Sequence, residues 1–533
     1  MKSDKNKITS LMETYGDIPK VDSSKAVAKQ VKYSSTALLV TIVIIAVIVL
    51  INVALGILAT KVNMRWDITD KKIFTLSVQT IEVIDELKEM GAKSEIIILG
   101  NEKTMREEVT TTNAISAYRY IVETVDNYNA ASENIDVHYV EPRYNPSFFT
   151  SRGIDVTATE EASPLMVIYS PETKRYRIVY DTAFSNLEYV GIERRITGAL
   201  VYSSVSNMQT VAVIRGHGET EIGFFGTLLN DNGFDVKNIT LSEWDEIPEE
   251  VGILVIVNPQ SDYSIDDINK IDRFLSNDEQ LGKHLFVFGD LDMPYNLRLE
   301  TYLKDEWGLS FGTETIFDTQ ENVYTLTSVV NPFLKVTYAD GDASKEVAGS
   351  LINSEARPYV GLGRTRPIIR DFDFRDEVDT YPLITSLNTS FGRNTTEEII
   401  TYEAFQNVKK TDSDSTGPFE ILVGSRRVRS ESSNLITSQV IVGGSISLIN
   451  DYFLSNTDGF TAASPQYMLN LIKFLSEETK TIDSDVLPEK LIGSSLNFTN
   501  DYEVVFVFLG LAFGIPAVFA VVAIVVYRRR KHL

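Results

Sequence analysis

Cysteine is absent from all 533 residues of the chain. That gap excludes disulfide cross-links, lipoprotein acylation, thiolate chemistry and cysteine-ligated metals. Histidine is almost as scarce: His138, His217, His284 and His532 are the whole complement, so a histidine-rich metal site is not available and none is expected. No G-x-x-x-x-G-K-[ST] phosphate-binding loop occurs, and the chain carries no P-loop of its own. A G-x-S-x-G nucleophile elbow is missing too, and the segments GRTRP and GSRR supply no phosphate cradle of a known kind. No cofactor is implied, and an energised function needs another subunit.

Charge, by contrast, is missing only locally. Residues 37–59, ALLVTIVIIAVIVLINVALGILA, and 504–527, VVFVFLGLAFGIPAVFAVVAIVVY, are uncharged runs of 23 and 24 residues. Each is long enough to cross a hydrocarbon core of roughly 30 Å at about 1.5 Å per residue. A cleaved signal peptide fits the first run less well, because 36 residues precede it, the run is too long and no clean small-residue cleavage site follows. Seven lysines lie in residues 1–36, and Arg528, Arg529, Arg530 and Lys531 follow the second run. The positive flanks put both ends in the cytoplasm and residues 61–503 outside a two-pass cell membrane.

Those exterior residues hold 39 basic and 70 acidic side chains, a balance of −31 against −24 for the whole chain. Such a surface repels nucleic acid and anionic headgroups, so no nucleic-acid partner is expected. In the second run, Gly510 and Gly514 lie four apart and Pro516 follows. Small residues at that spacing let helices approach closely, which suits docking on another membrane protein, although glycine is common in membrane helices anyway.

Along the exterior, residues 60–90 read as a stalk in which Ser77 caps a helix carrying Val78, Ile81, Ile84 and Leu87 at helical spacing. From 91 to 206 the order is strand (95–99), helix (113–129), strand (135–140), a hairpin from 164–170 to 175–180 through PETK, and a helix (191–205). That is the order of a thioredoxin-like domain, here without its redox cysteines. From 207 to 485 near-continuous apolar strands, VAVIRG, GILVIVNP, HLFVFGD and SQVIVGG, alternate with helices. The pattern argues a doubly wound α/β domain whose parallel sheet is covered on both faces. From about 311 to 437 many short β-prone stretches read as an extension of the sheet plus an inserted β-rich region, and 486–503 link the domain to the second run.

Strand-to-helix loops of such a sheet fall on its carboxyl edge, where open α/β domains bind ligands. The first loop is Gly216-His217-Gly218-Glu219, next to Arg215; the others bring Asn258, Asp290, Asp292 and Ser445 to the same edge. His217 as general base with Glu219 as its orienting partner is one reading. The other is a tight turn, which uses glycines and polar residues for its own geometry, and this one is preferred, with the seven residues kept as candidate ligand or partner contacts. Asp290 and Asp292 could hold a divalent cation through carboxylates alone, but aspartates after a strand more often cap the next turn.

The segments DITDKKIFTLSVQT, VAVIRGHGE, GILVIVNPQSDYSIDDINKIDRFL, HLFVFGDLD and VIVGGSISLINDYF, with the closing apolar run, resemble the GldG-type auxiliary component of ABC transporters. The likeness extends from about Arg65 to the end. It implies a membrane-anchored, non-ATPase subunit beside a separate permease and a separate ATPase, associated in some bacteria with gliding motility. It also implies an exterior domain similar to a scaffold domain of intraflagellar-transport proteins, and it brings no catalytic residues. One departure stands at Gly443-Gly444-Ser445, where relatives often carry aspartate after the first glycine. An auxiliary transport subunit that contacts substrate or partners is the leading expectation. A surface sensor or scaffold for an extracellular ligand is the alternative, and a hydrolase or amidotransferase-like enzyme using His217 and Glu219 comes third.

Overall fold

A computed structural model of the protein describes residues 74–476, except 112–116, 157–162, 181–188, 191, 206–209, 320–322, 325–332, 354–358, 395–407, 432–433 and 455–462, together with 490–491 and 528. The apolar runs at 37–59 and 504–527, with Gly510, Gly514 and Pro516, lie outside the described residues. Among the described residues no helix is long and apolar enough to cross a membrane. All of them belong to one compact unit, Thr69–Leu533.

The first helix, α1 (Val78–Glu89), starts where expected: the Ser77 hydroxyl accepts a hydrogen bond from the Thr80 N–H at 3.2 Å. Its buried face is rotated from the apolar stripe, however. Thr80, Val83, Ile84 and Leu87 are buried while Val78 is 69% exposed. The cause is polar: Thr80 Oγ1 meets Thr197 Oγ1 at 3.2 Å and the Ser77 N–H donates to Glu193 Oε1 at 2.6 Å, so two hydrogen bonds orient the helix and leave Val78 and Ile81 on its exposed side.

Next come β1 (Ser94–Ile98), α2 (Glu102–Thr111), α3 (Ala117–Ala131), β2 (Ile135–Tyr139), β3 (Pro164–Tyr169), β4 (Tyr176–Tyr180) and α4 (Ile192–Ser204). The strands form one sheet in the order β2-β1-β3-β4, with β1 parallel to β2 and β3 antiparallel to both its neighbours. Ile96, Ile98, Tyr120, Val125, Ile168 and Leu200 fill the core between this sheet and its helices. Helix α2 was not anticipated, because EKTMREEVTT has almost no apolar residues to set a period.

A second, larger sheet follows. Its strands are β5 (Thr210–Arg215), β6 (Asp235–Thr240), β7 (Val251–Val257), β8 (His284–Phe288), β9 (Val336–Tyr338), β10 (Val378–Ser386), β11 (Glu420–Glu431) and β12 (Asn434–Gly443). They lie in the order β9-β10-β11-β12-β8-β7-β5-β6, and a ninth, two-residue strand, Phe374–Arg375, pairs with β10. From β12 to β6 the neighbours are parallel; from β9 to β12 they are antiparallel. Much of the β-rich stretch at 311–437 therefore extends the main sheet.

Both faces of the parallel part are covered. Val211, Val213, Val255 and Phe286 pack with α5 (Gly223–Asp231) and α8 (Ala463–Leu475) on one side. Ala212, Ile214, Leu254 and Leu285 pack with α6 (Ile265–Ser276) and α7 (Leu297–Trp307) on the other. Burial on both faces is why β7 and β8 read as unbroken apolar runs. It also disposes of His284, whose ring is buried in β8 and whose pKa is pushed down to about 3 by burial, with Lys283 adding to the effect.

The two sheets are tied through α4 and α5. A Cβ on Gly198 would lie 2.0 Å from the Asp231 carbonyl oxygen, so the helices touch backbone to side-chain position there. Beside that contact Arg194 Nε donates to Asp231 Oδ2 at 3.0 Å. From the hairpin, Arg177 donates to the carbonyls of Asn230 at 2.6 Å and Phe234 at 2.8 Å.

Candidate functional site

The chain leaves β5 for β6 on one side and later returns to β7 on the other side of β5. The carboxyl ends of β5 and β7 thus flank a topological switch point, the place where open α/β sheets leave a crevice. Arg215 ends β5 and residues 216–219 follow it, Asn258 follows β7, Asp290 and Asp292 follow β8, and Ser445 follows β12.

At β5 the crevice is occupied by the protein's own side chains. Gly216 and Gly218 adopt φ of 117° and 77°, values that favour glycine. A side chain at 218 would also come within 3.0 Å of the Gln260 Cβ. The His217 N–H donates to Glu219 Oε2 at 2.8 Å, and the His217 carbonyl accepts from the N–H groups of Gln260 at 2.9 Å and Ser261 at 3.0 Å. Arg215 braces the turn from below, donating to the Thr220 carbonyl at 2.9 Å and to Asn238 Oδ1 at 3.1 Å. The His217 ring stacks on Tyr263 with centroids 3.9 Å apart.

Two carboxylates hold that ring. Nδ1 is 3.4 Å from Glu219 Oε1, and Nε2 is 3.5 Å from Asp267 Oδ2. Glu219 raises the His217 pKa above its ordinary value, against opposing burial and with help from Asp267. Burial works to raise the Glu219 pKa, but the contacts with His217 and with the Tyr263 hydroxyl, 2.7 Å away, outweigh it and lower the carboxyl. Asp267 has a second duty: it completes a capping box with Ser264 at the start of α6. An imidazole set between two carboxylates and covered by a phenol ring joins the β5 turn to the N-terminus of α6, as an ion-paired clamp when the ring is protonated.

Asn258 organises the second group. It is buried, with φ 50°, and its amide donates to Asp292 Oδ1 at 3.1 Å while its side-chain oxygen accepts from the Asp290 N–H at 3.1 Å. Asp290 caps the Leu291 N–H at 2.7 Å, and burial raises its carboxyl pKa. The first two groups are joined by Gln260, whose amide donates to the Asn258 carbonyl at 3.0 Å. Ser445 stands apart, donating to the Arg364 carbonyl at 2.8 Å and accepting from the Ser447 N–H at 3.2 Å.

The unforeseen part is the stretch Arg364–Arg366, which lies across the β12 end. The Arg366 N–H donates to the Gly444 carbonyl at 3.1 Å, and a Cβ on Gly444 would sit 1.9 Å from the Arg366 carbonyl oxygen. That contact explains why glycine, rather than aspartate, occupies position 444. The Arg366 guanidinium stacks over Phe311 at 4.2 Å, and burial lowers its pKa against the pull of Glu300, Asp290 and Asp292. Tyr263, Asp267, Gln260 and Arg366 were all missed from the sequence. Only Asp267 left a trace there, as the third residue after the capping serine.

Among the described residues no group of three or more histidine, aspartate or glutamate side chains could hold a metal ion. What the edge presents is a set of loops of an α/β unit fastened to one another by hydrogen bonds. Residues 208–338, from just before β5 through β9, match a family model described as an ABC-type uncharacterized transport system. The match associates this segment with the auxiliary components of ABC-type transport systems. None of the curated proteins compared with the chain matches it. Among solved structures the mmIFT52 N-terminal domain is similar at 11% identity, over 50% of this chain and 97% of that one, with a TM-score of 0.33.

Proposed function

We propose that the chain is a membrane-anchored, non-ATPase auxiliary subunit of an ABC transport system, of the gliding-associated GldG type. Its α/β unit works outside the membrane beside a separate permease and a separate ATPase. The observation that carries this reading is the match over 208–338. The absence of a P-loop from the sequence agrees with it, since energy then has to come from another subunit. The apolar runs at 37–59 and 504–527 supply the anchors in this reading, and Gly510, Gly514 and Pro516 the surface that packs on the permease.

For residues 91–206 the thioredoxin-like reading is supported by the strand order β2-β1-β3-β4 with β3 alone reversed. Without cysteine that domain serves as scaffold. A structural role for His217 is supported by its two carboxylate partners and its stacking on Tyr263. Affinity purification of the full chain in mild detergent tests the proposal. An ABC permease and ATPase should co-purify; their absence, in a preparation that retains the folded chain, overturns it.

A further inference from the structure

A cleft of about 660 Å³ opens at the carboxyl ends of the parallel neighbours β1 and β2, between the loops that leave them and the helices α2 and α3. Carboxyl ends of parallel strands are where α/β sheets bind ligands, and the size is that of ordinary ligand sites, roughly 300–1,000 Å³.

The lining argues against charged and against apolar ligands. Arg106 forks onto both oxygens of Asp126 at 2.9 Å and reaches Glu102 at 2.9 Å, so this cation and these two carboxylates are spent on one another. Lys103 is turned to solvent and lies 3.6 Å from Glu107. Val137 and Val140 are the only aliphatic side chains in the lining, too little surface to hold an apolar molecule.

The groups left for a ligand are polar and largely uncharged. Asn101, Asn129 and Asn145 bring three exposed carboxamides to the cleft. Asn101 Oδ1 accepts from the Thr104 N–H at 3.2 Å, which leaves its NH2 group to donate. Directly after β2, the N–H groups of Tyr144 and Asn145 both donate to the Glu141 carbonyl at 3.1 Å. That closed turn carries Glu141, Tyr144 and Asn145 into the lining, and Tyr144 stays 72% exposed. At the floor the Tyr139 hydroxyl accepts from Arg106 at 3.5 Å, and burial pushes its pKa up to about 12, so it keeps a proton to donate.

We propose that this cleft binds a neutral saccharide, with one pyranose ring laid on Tyr144 and its hydroxyls bonded to the carboxamides of Asn101, Asn129 and Asn145. A hydroxyl both donates and accepts, and a carboxamide is the uncharged side chain that answers it with two donors and an acceptor. The C–H face of a pyranose is apolar and suits the exposed face of a phenol, whose polar edge stays wet. Glu141 adds two acceptor oxygens for neighbouring hydroxyls. Binding here is independent of whether the chain serves a transporter.

The test uses the full chain in lipid nanodiscs, free of sugar-based detergent, and saturation-transfer NMR with cellotetraose, maltotetraose and N-acetylchitotetraose. At least one should bind with a Kd of about 1 mM or tighter, with the strongest transfer on ring C–H protons. Tyr144→Ala should weaken that binding about tenfold or more, and so should Asn129→Ala combined with Asn145→Ala. All three side chains are exposed, so the melting temperature should stay at the wild-type value. Trigalacturonate and trilysine should bind the wild type at least about tenfold more weakly than the best sugar, a comparison that needs no variant. No transfer to any of the three sugars at about 10 mM, undiminished binding by folded Tyr144→Ala, or equal or tighter binding of either charged oligomer each overturns the proposal.

Discussion

At the scale of single residues, His217 gives the sharpest expectation because its charge state is tied to stability. Its folded pKa lies above the ordinary value through Glu219 and Asp267. A raised histidine pKa stabilises the fold fully below the unfolded value of about 6.5, and that contribution is lost as pH rises through the folded pKa. Glu219, with its pKa lowered, remains ionised through the same window. Melting temperatures of the wild type and His217→Gln across about pH 5 to about 9 should differ most at the acid end and converge toward the alkaline end. A gap that is constant, or that widens with pH, would show that the imidazolium is not held as described. Gly444 supplies a second case. Gly444→Asp restores the residue that the resemblance leads one to expect, yet its Cβ meets the Arg366 carbonyl at 1.9 Å. Overpacking against backbone costs about 1–3 kcal/mol, which a urea denaturation midpoint will register as a loss.

At the scale of elements, the junction between α4 and α5 is where a small change has the largest reach. Alanine normally improves a helix over glycine by about 0.5–1 kcal/mol. At Gly198 the clash with the Asp231 carbonyl must outweigh that gain, because the obstacle is backbone and lies 2.0 Å away. Gly198→Ala is therefore expected to destabilise by about 1–3 kcal/mol, and a stabilised variant in chemical denaturation would refute the close helix contact. Ser264→Ala should cost about 1 kcal/mol through loss of the capping box. The same elements show what the sequence made legible. β7 and β8 were readable because burial on both faces leaves no polar alternation, and α1 and α6 because a serine cap precedes each periodic stretch. The helix Asp342–Ala348 was not, since seven residues carry too little period. Pairing was harder still: β11 runs antiparallel to β12 from Leu422↔Gly443 to Glu431↔Asn434, and alternation identifies a strand without naming its neighbour. The candidate site follows the same rule. Its loops were legible as strand ends, but Tyr263 and Arg366 reach the edge only through tertiary packing, so no spacing in the sequence announces them.

At the scale of the whole molecule, the acidic balance and the missing cysteines give a direct way to test the topology. The 443 residues from 61 to 503 carry −31, whereas the flanks carry the clustered lysines and arginines. If the positive flanks face the cytoplasm, the acidic unit faces away from it. Because the chain has no thiol of its own, one introduced cysteine is its only target for a maleimide. Tyr295 is 69% exposed, so Tyr295→Cys offers a site that reagent can reach without unfolding. A membrane-impermeant maleimide should label Tyr295→Cys in intact cells, and should label Ser3→Cys only after lysis. The reverse pattern would place the α/β unit in the cytoplasm and remove both the exterior reading of residues 61–503 and the idea that an external partner meets it. Labelling of Tyr295→Cys alone in intact cells leaves an acidic unit outside the membrane with no nucleotide-binding loop of its own. In that position the unit can take part in an ATP-driven cycle only through a partner, which is the arrangement the transport reading requires.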